Sequence, residues 1–231
     1  MNKYFLTYKK DGYTYFKPFK NKGEIKQFIS DDLILLDIKK IKFINIVKYF
    51  VYMTIMKIFE KYKKIDFCNY VVYNDEKHNA YEMTDIYSLY KLLHRFIKDT
   101  QRNIIDVGCG KGLSFLVFNS FFKEKSGIDF NKELCNTAKR NMRALNIDAH
   151  IMNRDADKYN CLADYDFIFI FNPFYGESME NLVLKIKGHD ACIIYHNPVC
   201  KDILTENGFI ELKSVRDVLG FEISIFKEAR I

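Results

Sequence analysis

From residue 103 onward, short apolar runs alternate with longer amphipathic stretches. Runs of strand length occupy 103–107, 126–129, 147–152, 166–172 and 191–196, and helical spacing occupies 112–123, 131–145, 175–187 and 199–207. Short strands separated by helices predict parallel β-α-β units with right-handed crossovers. The ending differs. "GFIELKSVRDVLGFEISIFKE" (208–228) holds two strand-like runs with only Asp217 to Gly220 between them, which predicts an antiparallel hairpin at one edge of the sheet. The expected class is α/β, with a mostly parallel sheet closed by that hairpin.

The first 78 residues follow another pattern and read as an appendage to a core domain at 79–231. "KYFLTYKKDGYTYFKPF" (3–19) is aromatic-rich on both sides of Asp11-Gly12, a dipeptide suited to a hairpin turn. Residues 33–64 read as one or two helices, with Lys42, Asn45, Lys48 or Tyr49, and Tyr52 forming a polar stripe against a broad apolar remainder. That remainder is expected to pack onto the core; the alternative is a helix lying on a membrane surface, its apolar face flanked by lysines. The longest strongly apolar window, 43–59, includes Asn45, Lys48 and Lys57 and falls short of a membrane span. Next, "NAYEMTDIYSLYKLLHRFI" (79–97) predicts a turn and then an amphipathic helix from Thr84 or Asp85.

Charge sharpens the division. Residues 1–80 hold 16 lysines and no arginine against 9 acidic side chains, a net of +7, whereas the remaining 151 carry 20 basic and 21 acidic groups. The positive excess suits an anionic partner of the appendage, such as nucleic acid or a membrane surface, or else a solvated lysine-rich face. The six cysteines form no C-x-x-C pair and no zinc-like grouping with the five histidines. They read as reduced, mostly buried thiols in a cytoplasmic protein that holds no metal, with the inner face of the membrane as the alternative location.

"IIDVGCGKGLSFL" (104–116) carries the candidate chemistry. Gly108, Gly110 and Gly112 directly follow a strand, where a glycine-rich turn lets backbone N–H groups and a helix N-terminus approach a ligand. A nicotinamide dinucleotide would want a last glycine where Leu113 stands, and no proton-relay pair for hydride chemistry is evident. Asp129 lies 17 residues beyond Gly112, at the end of the second strand. A carboxylate there can accept hydrogen bonds from both hydroxyls of a ribose, or else cap the helix from Asn131. Asn172-Pro173 and Asn197-Pro198 each stand behind an apolar strand, so both asparagines end strands at the ligand edge.

"IDVGCGKG", the acid of "SGIDFN", "RDAD" and "FIFIFNPF" together resemble the class I S-adenosylmethionine-dependent methyltransferases, over about residues 80–228. The resemblance implies a Rossmann-like, seven-stranded sheet and S-adenosyl-L-methionine as cofactor. It implies that Asp106 orients the turn and meets the cofactor's amino-acid tail, that Gly108 and Gly110 line the cofactor, and that Gly112 permits close packing. It further implies Asp129 on the ribose, Asp155-Ala156 at the adenine, and Tyr81 or Thr84 at the methionine end. "NPFY" (172–175) resembles the N-P-P-F or D-P-P-Y signature of enzymes that methylate exocyclic amines, with one proline in place of two. That implies acceptor contacts from Asn172, Pro173 and Phe174. His78 and His196 are the nearest candidates for a general base. A nucleic acid, a protein or small-molecule amine, and an envelope glycan or lipid intermediate stay open as acceptors, and binding without turnover is the non-enzymatic alternative.

Overall fold

The computed structural model describes residues 4–10, 13–29, 34–40, 42–69, 83–171 and 176–229. Two sheets organise them. The first has three strands, β1 (Tyr4–Lys10), β2 (Tyr13–Phe19) and β3 (Ile34–Lys40), all antiparallel in the order β2-β1-β3, with helix α1 (Lys22–Phe28) between β2 and β3. A long helix, α2 (Phe43–Lys63), then leads toward α3 (Ile86–Phe96). The core follows as β4 (Asn103–Val107), α4 (Phe115–Phe118), β5 (Glu124–Asp129), α5 (Lys132–Leu145), β6 (His150–Asn153) and β7 (Phe167–Phe171). It ends with α6 (Gly176–Ile186), β8 (Cys192–His196), α7 (Lys201–Glu206), β9 (Phe209–Arg216) and β10 (Glu222–Glu228).

These core strands form the expected seven-stranded sheet, in the order β6-β5-β4-β7-β8-β10-β9. The first five are parallel, and β10 runs antiparallel between β8 and β9. Alternation along the strands feeds two apolar layers. Ile104, Phe167, Phe169 and Ile194 meet Leu89, Leu93, Phe115, Phe118, Ala138 and Met142 on one face. Ile105, Val107, Ile168, Ile170, Ile193 and Tyr195 meet Met179, Val183, Ile186 and Leu204 on the other. Burial on both faces is why the parallel strands read as near-continuous apolar runs.

Several expectations are corrected. Within 33–64 the chain begins with a strand, since "ILLDIKK" alternates Ile34, Leu36 and Ile38 with its other residues and completes the sheet that a lone hairpin would leave marginal. The helix expected over 112–123 shrinks to Phe115–Phe118, because Asn119-Ser120 favour a turn and Phe118 packs edge-on against Phe115 and Phe122. The strand expected from 147 starts at His150, since Asn146 caps α5 in the left-handed region (φ 54°) and the Ile147 N–H returns to Met142 O. The expected hairpin turn at Asp11-Gly12 and the boundary at 78/79 lie outside the described residues.

Helix α2 meets the core with only part of the apolar remainder expected to pack there, and with Asn45, Tyr49 and Tyr52 of the polar stripe, while Lys42 and Lys48 of that stripe are exposed. Its inward face carries Asn45, Ile46, Tyr49, Tyr52, Met53, Met56, Phe59 and Glu60, while Ile44, Val47, Phe50, Val51, Ile55 and Ile58 face solvent. The reason is chemical. The surface beneath it presents backbone groups as well as apolar ones: the Tyr52 hydroxyl donates to Thr84 O at 2.8 Å, and the Glu60 carboxylate accepts the N–H groups of Phe67 and Cys68. Burial pushes the Tyr52 phenol far above its ordinary range. Asn45 lies against the β9–β10 turn, where a Cβ on Gly220 would sit 3.1 Å from its Nδ2. Among the described residues no helix is long and apolar enough to cross a membrane.

Asp85 ties three of these elements together. Its carboxylate caps α3 through the N–H groups of Tyr87 and Ser88, accepts the Ser88 hydroxyl at 2.8 Å, and accepts Val218 N–H of the β9–β10 turn at 2.8 Å. Asp85→Ala removes a buried cap and strands buried donors, so it should lower the unfolding free energy by about 2–4 kcal/mol. Urea denaturation followed by circular dichroism measures this; a loss within error of zero would refute the role of Asp85 as the tie.

Candidate functional site

Strand β4 sits at the sheet's switch point. The chain moves outward from it through β5 to β6, then returns to pair β7 with its other side. Ligands of open α/β sheets bind beyond the carboxyl ends of the strands at such a point. The glycine turn lies there, and its three glycines share one conformational demand: Gly108, Gly110 and Gly112 have φ of 84°, 53° and 82°, a region that side chains disfavour. At Gly112 there is also little room, since a Cβ would meet the Ala138 and Met142 side chains at 3.3 Å. The packing role expected for Gly112 is therefore what the geometry shows.

Hydrogen bonds pin this turn to the end of β5. The N–H groups of Gly108 and Cys109 both reach Ile128 O, and Gly110 N–H donates to Asp129 Oδ2 at 2.9 Å. The other Asp129 oxygen accepts Asn131 N–H at 2.8 Å, while Asn131 itself caps α5. Asp129 is buried, and a carboxylate offers roughly four acceptor positions. Asp106, 3% exposed, lies beneath the turn and accepts the Ser114 hydroxyl. Burial raises its carboxyl to about 7, with Ser114 opposing the rise and the Asp129 charge adding to it.

A part of the site missed in the sequence comes from the segment after α2. Lys111, buried within the glycine turn, donates to Asp66 Oδ1 and Asn69 O, each at 2.8 Å. Asn141 of α5 completes the cluster, accepting Asp66 N–H and donating to the carbonyls of Asp66 and Lys111. Cys109 is buried in the same turn; a hydrogen bond with Cys135 and burial push its thiol up, consistent with a structural thiol.

Asp155 and Ala156 follow β6, whose Asn153 pairs in register with Asp129. Asp155 is exposed and caps a single 3-10 turn through Asp157 N–H at 3.0 Å. Thr84 is buried, its carbonyl holding Tyr52. Tyr81, Asn172, Pro173, Phe174 and His78 lie outside the described residues. Just before Asn172, Phe171 ends β7 and stacks on His196 of β8, with ring centroids 3.8 Å apart. The His196 Nε2 is 2.8 Å from Asp217 Oδ2 with both groups buried, and among the described residues Nδ1 has no hydrogen-bond partner. Asn197, expected to end its strand here, follows β8 with φ 54°.

Residues 104–186 match the model of a family described as a methyltransferase domain. No curated protein matches the chain. Among solved structures, magnesium protoporphyrin IX methyltransferase from Synechocystis PCC 6803 with bound SAM superimposes with a TM-score of 0.52 at 15% identity, over 62% of this chain and 78% of that one. The same protein with bound SAH gives 0.52 at 13% identity, over 62% and 81%. The PH0226 protein of Pyrococcus horikoshii OT3 gives 0.51 at 13% identity, over 62% and 89%. At these identities the likeness is one of fold.

The state of Asp106 predicts a pH dependence. Its native carboxyl holds a proton up to about pH 7, whereas an unfolded aspartate loses it near pH 4. Between those values the native state binds more protons than the unfolded state, so this group makes stability fall as pH rises, by up to about 1 kcal/mol per pH unit. Asp106→Asn should remove that contribution. Urea titrations of both proteins across this window test it; identical slopes would show that Asp106 is ionised throughout.

Proposed function

We propose that the chain, whose residues 104–186 match the methyltransferase-domain family and whose seven-stranded sheet is Rossmann-like, binds S-adenosyl-L-methionine and transfers its methyl group to an acceptor. The observation that carries this reading is the Asp129 carboxylate, held by Gly110 and Asn131 beside a turn of three left-handed glycines. A carboxylate at the end of β5 suits the two ribose hydroxyls. Gly108 and Gly110 keep the turn free of side chains where the amino-acid tail would pass. The Asp129 carboxylate makes the local potential negative, and a cationic ligand would favour ionisation of the Asp106 carboxyl, which burial holds up at about 7. Asp155 and Ala156 suit the adenine, and Tyr81 and Thr84 the methionine end.

When bound, the cofactor supplies an electrophilic methyl on a sulfonium. The protein's task is alignment, since positioning alone can lower such a barrier by roughly 7–11 kcal/mol. We assign the acceptor side to Asn172, Pro173 and Phe174. The asparagine and proline carbonyls accept hydrogens of an amine, and the aromatic ring supports a planar group. An amine loses a proton as its nitrogen bonds to carbon. With Nε2–H donated to Asp217, the Nδ1 lone pair of His196 is a candidate to receive it.

Isothermal titration with S-adenosylmethionine, S-adenosylhomocysteine and NAD tests the first step: the first two should bind and NAD should not. Asp129→Asn should weaken both sulfur ligands by about tenfold or more, the scale of a charge-assisted hydrogen bond. With an acceptor in hand, Asn172→Ala should keep cofactor affinity and turn over about a hundredfold more slowly. Affinity unchanged in Asp129→Asn would remove Asp129 from the ribose site. Binding without turnover on every acceptor class would favour a non-catalytic cofactor-binding protein.

A further inference from the structure

The face of α2 that the core does not use has its own organisation. Projected at 100° per residue, Phe50, Thr54, Val47, Ile58, Val51, Ile44, Tyr62 and Ile55 fall within an arc of about 140°. Every one of them is exposed, Ile58 at 65% and Tyr62 at 80%. Lys57 borders this arc on one side and Lys48 on the other, with Lys61 entering it only in the last turn. All three lysines are exposed, as are Lys42, Lys63 and Lys64 at the helix ends. The helix has one acidic residue, Glu60, and it is turned inward onto the N–H groups of Phe67 and Cys68.

We infer that α2 docks the protein on an anionic membrane surface, lying in the interface plane with this arc in the acyl–headgroup boundary. A largely apolar stripe from Ile44 to Tyr62, about 27 Å long, is larger than the scattered apolar side chains of ordinary surfaces. Lysines at both margins reach headgroup phosphates while their stems lie along the apolar surface. The charge pattern selects this occupant. A second copy of the helix would bring lysine margins together with no acidic residue on that face to pair them. A nucleic acid would need the cations on the face itself, and here the face is apolar. The opposite face is committed to the core through Tyr52, Met56 and Glu60, so docking requires no unfolding of the helix. This inference is independent of the acceptor and of the cofactor.

The test uses the full chain with vesicles of pure phosphatidylcholine and of equal parts phosphatidylcholine and phosphatidylglycerol, at low and high salt. The sequence contains no tryptophan, so Phe50→Trp places a single indole in the arc. Mixed vesicles should co-sediment the protein and shift the indole emission to the blue, whereas pure phosphatidylcholine binds much less and salt weakens the association. The double variant Phe50→Ser/Ile58→Ser should lower vesicle partitioning by about a hundredfold while thermal unfolding stays close to the parent. Lys48→Glu/Lys57→Glu should lower binding to mixed vesicles by about tenfold or more with little effect on pure phosphatidylcholine. Absence of binding to mixed vesicles at low salt overturns the inference, as does binding that the Phe50/Ile58 variant leaves intact. So does a concentration-dependent dimer, or a complex with RNA, that the same variant abolishes while vesicle binding is absent.

Discussion

The sheet edge depends on one carboxylate shared between two crossovers. Asp129 ends β5 and holds Gly110 N–H, from the turn after β4, and Asn131 N–H, at the head of α5. Each bond is charge-assisted and contributes on the order of 1.5–3 kcal/mol. Ile128 adds its carbonyl, taken by both Gly108 and Cys109. The turn is thus fastened to the neighbouring strand and not to its own. The left-handed glycines follow from this, because a chain that must deliver consecutive N–H groups to an adjacent strand end cannot keep ordinary dihedral angles.

The same turn couples the N-terminal region to the core. Burying the Lys111 ammonium carries a large desolvation cost, offset only where its hydrogens are met. Asp66 and Asn69 meet them, and Asn141 uses both ends of its amide to hold the two chain segments together. The segment after α2 is therefore part of the wall of the glycine turn. Any movement of α2 relative to the core acts on Lys111 through three residues of chain.

The sheet was legible because its signals are local. Strands β4, β7 and β8 are buried on both faces and show as apolar runs, and the glycines and Asp129 stand at spacings fixed by one β-α-β unit. What stayed hidden was joined across the fold. Lys111 and Asp66 lie 45 positions apart, and His196 and Asp217 lie 21 apart; no periodicity couples such pairs. The α4 region misled for a different reason. Its phenylalanines have helical spacing, but they serve edge-on ring contacts beneath the sheet, and the turn-forming Asn119-Ser120 ends the helix after one turn.

Helix α2 shows where periodicity stops being informative. The sequence marks two faces correctly, a polar stripe and a broad apolar remainder, yet which face turns inward depends on the surface that receives it. That surface offers Thr84 O and the N–H groups of Phe67 and Cys68. A purely apolar face laid over them would leave buried backbone groups without partners, at about 1–3 kcal/mol each. Tyr52 and Glu60 satisfy them, and Met56 and Phe59 fill the space between. Asn45, Tyr49 and Tyr52 of the polar stripe thus turn to the core, Lys42 and Lys48 stay exposed, and the apolar arc is left outside by the chemistry of its opposite side. A face excluded from the core in this way gains nothing for folding from its isoleucines and phenylalanine. Their number and their lysine margins then call for an explanation outside the fold.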